Sequence, residues 1–384
     1  MKAKNGLLIL TILVIGCKKP YNPPAITNNA SYLVVEGVIN SGADSTFIKL
    51  SKTVNISGVA TANPVLQATV SVQIDQNNNY PLTELGNGKY GVAGLNLNSA
   101  HNYRLNIQTP DGQQYQSDFG PVVNTPPIDS VGFQIQSNGL QLYVNTHDPN
   151  NKINYYRWDY KETWQFDAKY QSFFVTNGTA IVFRLPSQDI YSCFGNDTSS
   201  TIVLGSSAKL SQAVIYQSPL TQIASTSEKI ETKYSILVDQ YALSPNAYDF
   251  WVNLKQNTEQ LGSIFDPQSS NNNGNMHCIT NPSEPVIGYI SVCTVRQKRI
   301  FISNSQLPQT WFPTYPYSCT ADTAYYCAQG CTNQVAIYLI PPGSGQIPIN
   351  AVSAGPAVIG FSNSSIECVD CTIRGTKTQP AFWK

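Results

Sequence analysis

The sequence has few charged residues, few histidines and almost no methionine. Asp, Glu, Lys and Arg make up 12% of its 384 residues, and there are three histidines and two methionines. Acidic and basic side chains number 23 each. This balance does not favour binding to nucleic acid or to an anionic membrane surface, because both depend on clustered positive charge. After residue 17 no apolar run is long enough to cross a bilayer as a helix.

Motifs of the common enzyme classes are also missing. There is no nucleophile elbow, phosphate loop, His-Glu zinc helix or calcium loop. His101 lies in a predicted turn, His147 in a loop, and His277 beside Cys278. A catalytic histidine needs an oriented partner in space, and a neighbour in sequence seldom supplies one. The sequence therefore predicts a protein that is not an enzyme, with no cofactor and no metal.

The first residues form a signal sequence. Lys2 and Lys4 give a basic start, and Leu7–Ile15 is an apolar run too short for a permanent membrane helix. The segment Val14-Ile15-Gly16-Cys17 then resembles the lipobox of bacterial lipoproteins, whose cysteine is acylated. We therefore predict a lipoprotein signal peptide over residues 1–16; an ordinary signal peptide is the alternative.

Acylation of Cys17 would anchor the mature chain in a lipid bilayer. Each buried methylene of an acyl chain contributes about 0.8 kcal/mol, so several chains on one residue hold a protein firmly. Residues 17–30 are polar and contain three prolines, as expected of a flexible, extended tether. The predicted location is outside the cytoplasm.

The region after the tether is typical of short antiparallel strands. Val70, Val72 and Ile74 alternate with polar residues, and the segment from Tyr103 to Ile107 repeats the pattern. Turn signals separate such segments, and no helical period is present. These features predict an N-terminal Ig-like β-sandwich over residues 31–122.

A larger β-rich domain is predicted over residues 123–384. The proline-containing segment Pro121–Pro127 favours a stiff linker before it. Tyr156, Trp158 and Tyr160 then alternate against charged residues, which indicates a strand of a second, fibronectin-like sandwich. The fold class is therefore mainly β.

One helix interrupts the strand pattern. Ser244 and Pro245 are an N-cap and a first helical residue, and Ala247, Trp251 and Leu254 recur at helical spacing. We predict a helix at about residues 245–261. Its Trp251 stripe favours packing against a sheet over a ligand platform.

Eight cysteines besides Cys17 lie in the second half of the chain. An even number in an oxidising compartment suggests up to four disulfides, with 105 pairings open. The first half then has to be stabilised by its core alone. The disulfide candidates are Cys193, Cys278, Cys293, Cys319, Cys327, Cys331, Cys368 and Cys371.

Two closely spaced cysteine pairs allow another interpretation. Cys327 and Cys331 together with Cys368 and Cys371 could form a four-thiolate zinc site, or Cys368 and Cys371 a redox pair. Disulfides are favoured, because thiols oxidise outside the cytoplasm.

Exposed aromatic side chains are a further candidate feature. The segment Trp311–Tyr317 is dense in aromatic residues and proline. Such a surface suits stacking on sugars or a protein partner, although filling of a core is the more common use of these residues in sheets.

Several separate motifs resemble one known family. They are Leu33-Val-Val-Glu-Gly37, Tyr241–Trp251, Phe265-Asp-Pro267, Glu284–Tyr289 and the end of the chain, Cys368–Trp383. Together they resemble the domain-of-unknown-function family 4249. The resemblance covers nearly the whole mature chain and implies an outer-membrane lipoprotein, often encoded beside a TonB-dependent receptor. It implies no reaction.

The resemblance suggests a function in nutrient uptake. We expect an accessory binding protein of a TonB-dependent receptor, with a glycan or a small nutrient as ligand and ligand-binding residues not yet assigned. Lys18 and Lys19 follow Cys17, where many surface-exported lipoproteins have acidic residues, so both the periplasmic and the cell-surface face stay open. The alternatives are a cell-surface scaffold or adhesion protein and an extracytoplasmic hydrolase.

Overall fold

The computed structural model describes residues 31–54, 63–75, 78–259, 274–327 and 330–384. The predicted signal peptide, the tether and Cys17 lie outside these ranges. Strands dominate the described residues, which confirms the mainly-β fold class. No helix among them is long and apolar enough to cross a membrane.

Nine strands precede residue 122. They are β1 (Leu33–Asn40), β2 (Thr46–Lys52), β3 (Asn63–Pro64), β4 (Thr69–Ile74), β5 (Asn79–Glu84), β6 (Lys89–Val92), β7 (Asn102–Gln108), β8 (Gln114–Ser117) and β9 (Gly120–Pro121).

Nine further strands and the first helix follow. They are β10 (Ile128–Gln136), β11 (Gly139–His147), β12 (Tyr155–Asp167), β13 (Phe174–Thr176), β14 (Ile181–Phe183), β15 (Ser192–Thr198), β16 (Val203–Ser206), β17 (Val214–Ala224), β18 (Lys233–Ala242) and α1 (Pro245–Glu259).

The remaining elements are β19 (Met276–Cys278), β20 (Ser291–Cys293), β21 (Arg296–Ser303), β22 (Asp322–Tyr325), α2 (Gln334–Tyr338), β23 (Gln346–Ala354), β24 (Ala357–Ser365) and α3 (Ile366–Val369). Single turns of 3₁₀-helix occur at Pro186–Gln188, Glu228–Ile230, Asn304–Gln306 and Cys371–Ile373. The predicted helix is confirmed from residue 245 to residue 259, and residues 260 and 261 lie outside the described ranges. Two short helices, α2 and α3, were not predicted.

The first unit is one strongly curled sheet. Its strand order is β19-β8-β7-β4-β5-β6-β2-β1-β20. β9 pairs with β7, and Val123 bridges to Cys293 of β20, so the two sides of the sheet approach each other. The predicted alternation is confirmed: Val70, Val72 and Ile74 of β4 are all buried in the core of this unit.

The first unit does not end at residue 122. β19 pairs with β8, and β20 runs parallel to β1. Met276, Ile290 and Val292 are buried in the first core. The assignment of all residues from 123 to 384 to one later domain is therefore wrong for residues 276–293. Three-residue strands have too few positions to show a period, so the pattern of side chains did not reveal them.

The second unit is a sandwich of two sheets. One sheet has the order β10-β11-β17, and the other has the order β15-β12-β18-β21 with β16 also paired to β12. Leu142 of one sheet and Trp158 of the other are fully buried in the shared core. The even-numbered residues of β12 face this core, so its odd-numbered residues, from Arg157 to Lys161, face outward.

A third, smaller group of elements follows. β22, β24 and β23 form a sheet, and the hairpin β13–β14 packs beside it through Phe174 and Ile181. Two of the disulfides join this region to neighbouring segments: Cys193 of β15 to Cys371, and Cys319 to Cys368.

Three disulfides form among the described cysteines, the third being Cys327–Cys331. Cys368 and Cys371 bond to different partners, so they are neither a redox pair nor half of a zinc site. Cys278 and Cys293 are buried free thiols, and their inclusion among the disulfide candidates was wrong. They lie on β19 and β20, the two ends of the strand order of the first sheet.

Candidate functional site

A cleft of about 690 Å³ lies between the first and second units. One wall is the outer face of β1 and β2, and the other is the outer face of β12, β18 and β21. We call this space the inter-unit cleft. Along the strands on both sides, successive side chains point alternately into a core and outward. The outward-facing side chains of the two units line the cleft.

Arg157 is the most buried cation of the inter-unit cleft, with 7% of its surface exposed. Its guanidinium carbon lies 4.1 Å from the ring centre of Trp251 and 4.6 Å from that of Tyr241. Nη2 donates to Asp159 at 2.9 Å. Nε is buried without a partner, and Nη1 makes no hydrogen bond with the described residues. Arg157 is therefore held in place by aromatic rings and retains unused donors.

Two carboxylates meet on the floor of the inter-unit cleft. Asp159 of β12 lies directly opposite Asp239 of β18 in the strand register. Asp239 is 5% exposed, and it accepts hydrogen bonds from Gln297 at 2.6 Å and from Lys161 at 3.2 Å. Like charges opposite each other repel, so the neighbouring cations and the amide stabilise this pair.

Tyr241 lies beside these carboxylates. Burial raises the pKa of its phenol, and the nearby charges of Asp159 and Asp239 raise it further. Its ring therefore stays neutral and provides a flat surface for Arg157.

The opposite wall also carries paired charges. Lys49 lies 3.2 Å from Glu36, and Lys89 lies over the ring of Phe47 at 4.0 Å. Both groups are on the outer face of β1, β2 and β6. Every cation that lines the inter-unit cleft therefore already has a carboxylate or an aromatic ring as partner.

The rim of the inter-unit cleft is formed by α1 and by residues 198–202. Ser244 caps α1, as predicted, since its Oγ accepts from the backbone of Ala247 at 3.2 Å. Further along α1, Glu259 accepts from the backbone N–H of Ile202, and Lys255 donates to the carbonyl of Ile202. These contacts hold the loop of residues 198–202 against α1.

Two of the chain crossings between the units lie side by side. The predicted linker Pro121–Pro127 runs next to residues 293–296. Thr125 accepts from Arg296 Nε at 3.1 Å, and its N–H donates to Thr294 at 2.8 Å. Asn40 accepts from the N–H of Val295, which links β1 to the second crossing.

None of the three histidines lines the inter-unit cleft. Each contacts one exposed carboxylate elsewhere: His101 lies 3.0 Å from Asp75, His147 2.8 Å from Asp129 and His277 3.0 Å from Asp118. No cluster of three metal-binding side chains occurs in the described parts of the chain.

Trp251 both packs against the sheet, as predicted, and lines the inter-unit cleft. The aromatic segment 311–317 is divided: Trp311 packs on the second core, whereas Phe312 is 71% exposed.

Sequence reasoning did not find the residues of the inter-unit cleft. The available signal was the alternation of Arg157 and Asp159 with the aromatic side chains of β12, which shows that both face away from the core. It does not show what they face, because the opposite wall comes from β1 and β2, more than a hundred residues earlier.

Two solved structures are remote likenesses of this chain. An adhesin, InvE of Yersinia pseudotuberculosis, shares 14% identity at a TM-score of 0.15, with 55% of each chain covered. The chitinase ChiA74 of Bacillus thuringiensis shares 10% identity at a TM-score of 0.15, over 50% of this chain and 28% of the chitinase. This chain thus spans about half the length of the adhesin, and neither likeness carries an argument about fold or function.

The sequence comparison is more specific. No curated protein matches the sequence. The model of a family described as "Domain of unknown function (DUF4249)" matches residues 18–299, which is most of the chain. This chain therefore belongs to the DUF4249 family.

Proposed function

We propose that this chain is a non-enzymatic lipoprotein of the outer membrane that binds a nutrient and passes it to a TonB-dependent receptor. Cys17 would carry the lipid. The signal sequence and the family resemblance support this location and partner. The observation that carries a binding function is the inter-unit cleft, which has a volume of about 690 Å³, is lined by charged, hydroxyl-bearing and aromatic side chains and is formed by two separate units.

The charges of the inter-unit cleft favour binding over catalysis. Asp159 is engaged by Arg157, and Asp239 by Lys161 and Gln297. A general acid or base has to exchange its proton with a substrate, and a carboxylate that is held in an ion pair does this poorly. Fixed, paired side chains instead give a prearranged surface for recognition.

The test is an in-cell crosslink followed by affinity purification of the tagged chain from purified outer membranes. We expect one large TonB-dependent receptor in near-equal amount. The control is Cys17→Ala, which removes the acylation site. This variant should be depleted from the membrane fraction, and far less receptor should be purified with it. Purification without any receptor would contradict the proposal and favour a scaffold or adhesion protein.

A further inference from the structure

We infer that the inter-unit cleft binds a neutral, polyhydroxylated ligand, namely a short uncharged oligosaccharide. This inference rests on the proposed binding function and names its ligand class. It follows from the balance of charge, from the pairing of the strand edges and from the polar groups that stay available.

The charge of the inter-unit cleft is balanced. Its lining has four acidic side chains, Glu36, Asp44, Asp159 and Asp239, and four basic ones, Lys49, Lys89, Arg157 and Lys161. Three ion pairs join six of these side chains: Glu36 with Lys49, Arg157 with Asp159, and Lys161 with Asp239. At these pairs a charged ligand group would have to break an ion pair or be buried without a counter-charge, and both are costly. A neutral ligand meets neither cost.

Four of the described strands that line the inter-unit cleft, β1, β2, β12 and β18, are paired on both sides. β1 is paired with β2 and β20, and β18 is paired with β12 and β21. β21 is an edge strand, but Lys298 donates from it to the carbonyls of Ile128 and Asp129. An extended peptide gains affinity by joining such an edge, so this surface does not suit peptide addition. The ligand is instead recognised by side chains.

The available side chains suit vicinal hydroxyl groups. The two oxygens of the Asp159 carboxylate can accept hydrogen bonds from neighbouring hydroxyls of a ligand. Nη1 of Arg157, which makes no hydrogen bond with the described residues, is a donor on the guanidinium that pairs with Asp159. Ser199, Ser200 and Thr201 add hydroxyls at the rim. The volume of about 690 Å³ lies within the usual range for small-molecule sites, so a short oligosaccharide fits.

Cations already occupy one face of each of three aromatic rings in the inter-unit cleft. Lys89 covers one face of Phe47, and Arg157 covers one face of Tyr241 and one of Trp251. Recognition through hydrogen bonds predicts strong selectivity for hydroxyl configuration, because an unmatched buried polar group is costly.

The experiment uses the acylated mature chain in lipid nanodiscs. It is applied to a printed array that holds neutral, acidic and amine-bearing oligosaccharides and neutral peptides, and the binders are measured by calorimetry. We expect neutral oligosaccharides to bind. Asp159→Ala should weaken the best one about tenfold or more, equivalent to about 1.4 kcal/mol. Asp159 is part-exposed, so this variant should fold, and thermal unfolding checks this.

The matched control is Lys377→Ala, which removes an ion pair with Asp189 outside the inter-unit cleft. It should bind like the unchanged chain. Binding only of acidic or amine-bearing sugars, binding only of peptides, no binding at all, or equal losses in both variants would overturn the inference. Receptor recovery in the crosslinking experiment is independent of these outcomes, so a wrong ligand class is distinguishable from a wrong proposed function.

Discussion

A single side chain, Arg157, connects the two strands and the helix that form one side of the inter-unit cleft. Its guanidinium lies against Tyr241 of β18 and Trp251 of α1 while it pairs with Asp159 on its own strand. An arginine in this position contributes packing as well as charge, because its planar group stacks on aromatic faces.

Replacement of Arg157 should therefore destabilise the protein. We expect Arg157→Met to lower the free energy of unfolding by about 2 kcal/mol, and Arg157→Lys by less, because lysine keeps the charge and loses the planar contact. Urea denaturation measures both. The control is Lys49→Met on the opposite wall, whose pair with Glu36 is exposed, so its loss should be under about 0.5 kcal/mol. Equal effects in the two methionine variants would contradict this role.

The two free thiols give a second prediction at this scale. Burial raises the pKa of the Cys293 thiol to about 12, so its reactive thiolate is scarce at neutral pH. Cys278 is buried in the first core. In a Cys17→Ser chain without reductant, a thiol reagent should label almost nothing when the protein is folded and two thiols after denaturation. Rapid labelling of the folded protein, or more than two thiols after unfolding, would disagree with the structure.

At the scale of elements, the sequence predicted the strands and the helix whose formation depends on residues close together in the chain. Apolar and polar side chains alternate along β4 and β7 because one face of each strand is buried. α1 begins directly after Ser244 because the side chain of this serine accepts a hydrogen bond from a free backbone N–H of the first turn. The membership of β19 and β20 in the first sheet was missed. Each of them pairs with a strand that lies far away in the sequence, β8 for β19 and β1 for β20. A strand of three residues carries too little pattern to specify that pairing.

The cap of α1 can be tested directly. Ser244→Ala should cost about 1 kcal/mol of stability, and Ser244→Gly only a few tenths, because glycine leaves the backbone open to water. Chemical denaturation followed by circular dichroism measures the change. Thr258→Ala is the control within the same helix, since Thr258 Oγ1 donates to the carbonyl of Leu254 at an exposed position and is expected to matter little. A larger loss at residue 258 than at residue 244 would refute the capping role.

At the scale of the whole molecule, the candidate site belongs to neither unit alone. Glu36 and Lys49 come from the first unit, whereas Arg157 and Asp239 come from the second. A strand pattern shows which residues face outward, but only the packing of the two units shows what they face. For this reason the sequence predicted the mainly-β fold and several of its strands but none of the inter-unit cleft.

The composition of the first unit leads to a prediction about fragments. Residues 31–122 alone lack Met276, Ile290 and Val292, which are buried in the core. We expect this fragment not to fold. A matched chain in which a flexible linker joins residues 31–122 to residues 274–295 should show strand-rich circular dichroism and a cooperative thermal transition. A folded 31–122 fragment would show that β19 and β20 are dispensable.

The return of the chain to its first unit also sets an order of events during synthesis. A polypeptide that emerges from its N-terminus cannot complete the first core until β20 has emerged, after the whole strand set of the second unit up to β18. Domains that are continuous in sequence fold one after another as they emerge, whereas here the first unit waits for a late segment. We therefore expect the core of the first unit to close only after most of the chain has been synthesised.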